Sequence, residues 1–266
     1  MINKTQLPEK QKEIIDKQIE KFKVRVFTEE VDEIPHVDDI PGEGSKKWLK
    51  IKDVICVFVD MKNSTKLSAS HHAGTTARSY TLFTGTAVRL FKSFGAKYID
   101  IKGDGVFALF NATQVNSAFA SAVTFKTFIK EEFTPRVTNK TEVDTGVHIG
   151  IDQATLLVSK IGFRKSITRG DMHNEVWAGK AVNMAAKLAS LSDDDEIHVS
   201  ERYFKKLKSV KIIYSCECSE PTPLWEELDL SEDDRFSFDK AHVLQSVWCK
   251  KHGADYIADI IAEDEC

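Results

Sequence analysis

Two runs of strand length, residues 97–102 and 105–110, are joined by nothing longer than the glycine turn Gly103-Asp104-Gly105. A connection that short joins antiparallel neighbours, so the pair reads as a hairpin and fixes part of a sheet. Upstream lies a third apolar run, Val54-Ile55-Cys56-Val57-Phe58-Val59, which ends in Asp60. Between it and the hairpin the spacing of Phe83, Ala87, Leu90, Phe91 and Phe94 predicts a helix over 74–94. After the hairpin, Val115, Ala118, Phe119, Ala122, Val123 and Ile129 predict a second helix over about 113–131. Alternating residues over 143–151 then read as a strand, with a partner strand over 154–162. The order β-α-β-β-α-β predicts an α+β, ferredoxin-like domain: an antiparallel sheet with helices on one face.

Outside this unit, Ile14, Ile15, Ile19 and Phe22 give residues 9–23 the pattern of an amphipathic helix, and the segment from Pro35 to Lys47 reads as a loop. A small-residue helix over 181–189 precedes a short strand from Glu196 to Val199. The expected organisation is an N-terminal helix and linker (1–47), the main domain (48–206) and a C-terminal extension (207–266). A net charge of −4 gives no support for nucleic acid or an anionic membrane as partner. No apolar stretch approaches the ~20 residues that span a bilayer, and the first ten residues lack a secretion signal. The five cysteines are odd in number, and Cys56 falls in a core strand, which fits a reducing compartment. The expected location is the cytoplasm.

Asp60 and Asp104 carry the chemistry. Either alone serves as well for a cap or a turn. From adjacent strands, however, two carboxylates can hold one or two Mg²⁺ or Mn²⁺ ions, hard cations that prefer oxygen. The Met61 carbonyl is a further candidate ligand, and the N–H groups of Asn63, Ser64 and Thr65 can cradle phosphate at a helix start. Asn183 and Lys187 are four residues apart on the small-residue helix and share one face, from which both can reach one ligand.

Four segments in order, Phe58–Thr65, Ile101–Val106, Gly146–Gly150 and Trp177–Leu188, resemble the motifs of class III nucleotide cyclase catalytic domains. The resemblance covers about residues 50–205 and implies cyclisation of a nucleoside triphosphate to its 3′,5′-cyclic monophosphate with release of pyrophosphate. It implies that Asp60 and Asp104 bind two metal ions, that Arg164 grips the triphosphate and that Asn183 orients the ribose. Lys187 stands where most members carry a transition-state arginine; it keeps the charge but lacks the planar fork. The resemblance further implies a homodimer in which each site takes its aspartates from one subunit and Asn183 and Lys187 from the other.

The base is read less directly. Adenylate cyclases carry a lysine at the position of Asp100 and an aspartate or threonine at that of Val176. A carboxylate at 100 cannot donate to adenine, but it accepts from guanine, uracil or cytosine, so GTP, UTP and CTP stay open. The wording Trp177-Ala178-Gly179-Lys180 and the long tail look most like the pyrimidine cyclases of bacterial antiphage signalling. That likeness implies cyclic UMP or cyclic CMP as product, with UTP favoured, and a separate cyclic-nucleotide-binding effector that reads it. The rivals are a guanylate or adenylate cyclase, a diguanylate cyclase, whose turn motif differs from Gly103-Asp104-Gly105, and a nucleotide-binding module without turnover, against which both aspartates speak. In the tail, Cys216, Cys218, Cys249 and His252 offer four soft ligands, but their spacings fall short of a standard zinc finger. They are read as reduced structural cysteines around a packed Trp248.

Overall fold

In the computed structural model the described residues are 3–42, 44–163, 172–193, 196–216, 218 and 220–264. The strands are β1 (Phe27–Val31), β2 (Lys47–Met61), β3 (Tyr98–Lys102), β4 (Gly105–Phe110), β5 (Val147–Phe163), β6 (Met172–Gly179), β7 (Ile197–Ser200), β8 (Trp225–Asp229) and β9 (Lys240–Leu244). The α-helices are α1 (Glu9–Lys23), α2 (Ser64–Ser70), α3 (Ala73–Ser93), α4 (Val115–Phe128), α5 (Thr134–Thr141), α6 (Lys180–Leu191), α7 (Glu201–Phe204), α8 (Val210–Ile213) and α9 (Gly253–Ala262). No helix is long and apolar enough to cross a membrane among these residues.

The expected β-α-β-β-α-β unit is present as β2, α3, β3, β4, α4 and β5, with strand order β3-β4-β2-β5. Its four strands are antiparallel, but the full sheet is mixed: β1 lies parallel to β2, and β7 parallel to β5. The helices also cover both faces, where the sequence pattern predicts one. Alternation along β2 explains this. Ile55, Val57, Val59 and Met61 pack with Phe83, Phe91 and Phe125 of α3 and α4, while Val54 and Cys56 pack on the opposite face with Ala181 and Ala185 of α6.

One expectation fails outright. Residues 143–151 and 154–162 do not form a pair of strands, because Val147–Phe163 is a single strand of 17 residues. The polar stretch Asp152-Gln153 reads as a break, yet both side chains are buried, with Asp152 paired and Gln153 anchored through its amide nitrogen. Asp152 accepts from Arg202 Nε at 2.7 Å and pairs with its guanidinium, and Gln153 Nε2 donates to the Asp53 carbonyl at 3.0 Å. The strand runs on, and its far half pairs with β6 to form an arm.

The C-terminal residues continue the same sheet through β7, β9 and β8. They also close over α4. Lys126, fully buried, donates through Nζ to the carbonyls of Leu244, Gln245 and Ser246 at 3.2, 2.7 and 3.1 Å. Asp264, just past α9, accepts from the N–H groups of Asn116 and Ser117 at 2.9 and 2.7 Å and so caps the start of α4.

Candidate active site

Asp60 is the penultimate residue of β2 and faces the same side of the sheet as Cys56 and Phe58. It stands opposite His148 of β5, and one step beyond the Val59–Val106 pair it meets Gly105 of β4. The fit there is close: a Cβ on Gly105 would lie 3.2 Å from Asp60 Oδ1. Gly103 holds φ +69°, so glycine at this first turn position lets the hairpin close in two residues. The same turn brings Asp104 beside Asp60. Burial, reinforced by the charge of Asp104, pushes the Asp60 carboxyl up to about 6, while His148 pulls it the other way. His148 Nδ1 donates to the Ser192 carbonyl at 2.7 Å, which fixes the ring.

Two carboxylates held together at the cost of mutual repulsion, with oxygen the only donor atom they offer and no Cβ on Gly105 to fill the space beside them, fit a hard divalent cation. Met61 ends β2 with its side chain buried in the core, so its backbone is fixed next to Asp60. Asn63 takes the left-handed conformation, φ +58°, and opens α2, with its Nδ2 donating to the Asp144 carbonyl at 2.7 Å. Ser64 and Thr65 form the first turn of that helix.

Asp100 lies on β3, on the face that carries Tyr98 and Asp60. Its Oδ1 accepts from the Ile101 N–H at 2.8 Å, and its Oδ2 is 2.7 Å from Lys102 Nζ. The neighbours across this face come from the β5–β6 arm. Trp177 packs on Tyr98 with ring centroids 4.8 Å apart, and the Tyr98 hydroxyl donates to Glu175 Oε2 at 3.4 Å. Burial first, then Asp100 and Glu175, hold the Tyr98 hydroxyl in its protonated form by raising its pKa above the ordinary range. The buried Trp177 Nε1 has no hydrogen-bond partner of good geometry. Among the described residues of the arm, Glu175 reaches Tyr98, two residues along β3 from Asp100, while Val176, on the alternate side of β6, is exposed. His148, Tyr98 and Glu175 escape the sequence reading. The i, i+2 spacing of Tyr98 and Asp100 was the one available signal, since the contribution of the arm depends on how it folds back.

Asn183 and Lys187 are not brought to the aspartates of their own chain. Helix α6 lies against the sheet through Ala181, Met184, Ala185, Leu188 and Ala189, which leaves Asn183 exposed on its outer side. Lys187 Nζ donates to the Arg235 carbonyl of the C-terminal extension, close to Asp233. Gly150 permits this packing, because a Cβ there would fall 2.0 Å from the Ala185 carbonyl oxygen and 2.5 Å from Ala189 N. Arg164 lies outside the described residues.

Comparison with known proteins gives this geometry a family. Residues 48–224 match the adenylate and guanylate cyclase catalytic domain. A uridylate cyclase of Propioniciclava tarda is 37% identical over 250 residues, covering 90% of this chain and 79% of that protein. Another uridylate cyclase, from Micromonospora echinofusca, is 34% identical over 223 residues, covering 82% and 72% respectively. Among solved structures, the adenylyl cyclase CyaB from P. aeruginosa superposes with a TM-score of 0.59 at 16% identity, over 76% of this chain and 97% of that one. The guanylate cyclase domain of RhGC from Catenaria anguillulae, in complex with GTP, gives 0.56 at 18% identity, over 73% and 95%. Those two likenesses show the fold alone. The match from residue 48 to residue 224, with relatives at 34–37% identity over most of the sequence, establishes that the chain belongs to the adenylate and guanylate cyclase catalytic domain family and is a nucleotide cyclase.

Proposed function

We propose that the protein is a uridylate cyclase, converting UTP to 3′,5′-cyclic UMP and pyrophosphate. The observation that carries this reading is the acidic wall formed by Asp100, Tyr98 and Glu175 on the face that bears Asp60. A carboxylate at Asp100 accepts from the N3–H of uracil. Adenine offers N1 as an acceptor and finds no matching donor in Asp100. That relatives at 34–37% identity are named uridylate cyclases supports the same choice.

Asp60 and Asp104, with the Met61 carbonyl, would hold two Mg²⁺ or Mn²⁺ ions. Such ions, when bound, neutralise the triphosphate and acidify the ribose 3′ hydroxyl. The N–H groups from Asn63 to Thr65 receive phosphate oxygens at the end of β2, and Arg164 grips the triphosphate. The 3′ oxygen attacks the α-phosphorus in line with the departing pyrophosphate. Asn183 orients the ribose, and Lys187 offsets the charge that develops on the phosphorus oxygens. The exposure of Asn183 and the engagement of Lys187 by the Arg235 carbonyl support the reading that both act from the second subunit of a homodimer with two equivalent shared sites. In a cytoplasmic setting the cyclic nucleotide acts as a second messenger of antiviral defence and is read by a separate cyclic-nucleotide-binding effector. Neither nucleic acid nor a membrane is a partner.

The test is to incubate the purified protein with each of the four nucleoside triphosphates and Mn²⁺ and to identify products by mass spectrometry. Cyclic UMP is the expected main product. Dominant cyclic CMP would refute the uridine assignment, and dominant cyclic AMP would refute the role given to Asp100.

A further inference from the structure

We propose that Cys216, Cys218, Cys249 and His252 form a structural zinc site that clasps the two ends of the C-terminal extension together where it covers the catalytic domain. Read by spacing alone, these residues are reduced structural cysteines. The fold instead gathers all four at one point, where one ligand atom from each lies within 4.8 Å of the others. Cys218 Sγ is 3.6 Å from Cys249 Sγ and 3.4 Å from His252 Nδ1. A disulfide needs its sulfurs at about 2.05 Å, so this is not a crosslink. A tetrahedral ion with bonds of about 2.3 Å to sulfur and about 2.0 Å to nitrogen sets its ligands about 3.8 Å (S to S) and about 3.5 Å (S to N) apart. The two separations that involve Cys218, 3.6 and 3.4 Å, lie within about 0.2 Å of those edges.

The donor chemistry narrows the ion. Three thiolates and one imidazole make a soft, closed set of four, which suits Zn²⁺ and not the oxygen-seeking Mg²⁺ or Mn²⁺ of the aspartate site. Groups around the ligands are arranged to hold them. The backbone N–H groups of His252 and Lys251 are turned toward the Cys249 sulfur. The His252 ring stacks on Tyr256, one turn further on, with centroids 6.2 Å apart and an interplanar angle of 22°. Cys216 and Cys218 sit in a turn pinned by the Ser215 N–H to the Thr222 carbonyl at 2.8 Å.

The placement gives the clasp its purpose. It ties Cys216 and Cys218, which follow α8, to Cys249 and His252, which lead into α9. Trp248, next to Cys249, donates from Nε1 to Thr124 Oγ1 of α4 at 2.9 Å, and beyond α9 Asp264 caps the same helix. The ligands of the clasp thus bracket the segment that covers α4.

The test uses the full-length protein purified under reducing conditions without chelator. Elemental analysis is expected to give about one zinc per chain, retained in the Asp104→Asn variant. The double substitution Cys218→Ser with Cys249→Ser is expected to lower zinc content at least about tenfold. Because that variant could fail to fold, the wild-type protein is also stripped with chelator and titrated with Co²⁺. Intense tetrahedral ligand-field bands with thiolate charge transfer, displaced by an equimolar amount of Zn²⁺, are expected. Any of three results would overturn the proposal: wild-type protein that keeps no zinc even after equimolar zinc and dialysis, octahedral cobalt spectra, or full zinc content in a folded double variant.

Discussion

Replacing Asp60 by asparagine is expected to stabilise the metal-free protein while abolishing turnover. In the folded chain, burial and the charge of Asp104 push the Asp60 carboxyl up to about 6, against about 3.9 in an unfolded chain. At about 1.4 kcal/mol for each pH unit of difference, the penalty has an upper bound of about 3 kcal/mol. Asp60 is half-buried, and solvent screening lowers the figure to about 1–2 kcal/mol. Below about pH 4 both states hold the proton and no penalty exists. Between about 4 and 6 the unfolded chain ionises first, so stability falls as pH rises, and above about 6 the full penalty persists. Asparagine keeps the shape and removes the charge. In urea unfolding with chelator present, the advantage of Asp60→Asn should grow from about a few tenths of a kcal/mol near pH 4.5 to about 1–2 kcal/mol near pH 7.5. Mn²⁺ should then reverse the order, since an ion that binds only the folded wild type stabilises it by about 2.7 kcal/mol at a hundred times its Kd. A variant no more stable than wild type near pH 7.5 in chelator would refute the account, because Asp60 would then carry no cost of desolvation against Asp104.

Lys187→Ala is expected to lower kcat about 10²-fold or more with the fold intact by circular dichroism; an unchanged rate would leave Lys187 as no more than a tether to the Arg235 carbonyl. Mixed with Asp104→Ala, it should regain about a quarter of wild-type activity per chain, because half of the randomly assorted dimers then hold one complete site of two. Failure to complement in mixed dimers would exclude shared sites. Gly150→Ala should cost about 1–3 kcal/mol in urea unfolding, since α6 must retreat to relieve a contact of 2.0 Å. With Asn183 and Lys187 displaced by about 1 Å, kcat should fall by up to about 10²-fold. Wild-type stability and rate together would show that the helix does not rest on the sheet at Gly150.

The hairpin, its two flanking helices and the position of Asp104 were legible because each is specified locally, by apolar period and by a glycine turn that admits one geometry. What could not be read depended on distant partners. Asp152 looks like a break in β5 until Arg202, fifty residues away, is seen to neutralise it. Strands β8 and β9 are five residues each and carry Glu226, Glu227 and His242, too polar for the alternating pattern. Their pairing across Glu227 and His242 is a tertiary fact. The same holds at the site. Asp60 and Asp104 are near each other because their strands are neighbours, which the motif order implies. Glu175 reaches Tyr98 only because the β5–β6 arm folds across the sheet, and no spacing in the sequence records that.

Charge decides what the proposed site needs beyond its own chain. On the face around Asp60 the described residues contribute Asp104, Asp100 and Glu175, with Lys102 already engaged by Asp100. A face so acidic repels a triphosphate. In the proposed reading, two divalent ions offset the negative charge of an almost fully ionised triphosphate, yet the Asp60 and Asp104 carboxylates remain to be balanced. Two further cations complete the balance, and Arg164 and Lys187 are the residues that the family likeness assigns to the phosphates. Lys187 cannot supply that charge to its own aspartates while α6 rests on the sheet at Gly150 and presents its polar side outward. A lone chain would hold ions and substrate without the cation that answers the charge developing at phosphorus. In the proposed reading the dimer is a condition of catalysis, and its formation would be expected to set activity at low protein concentration.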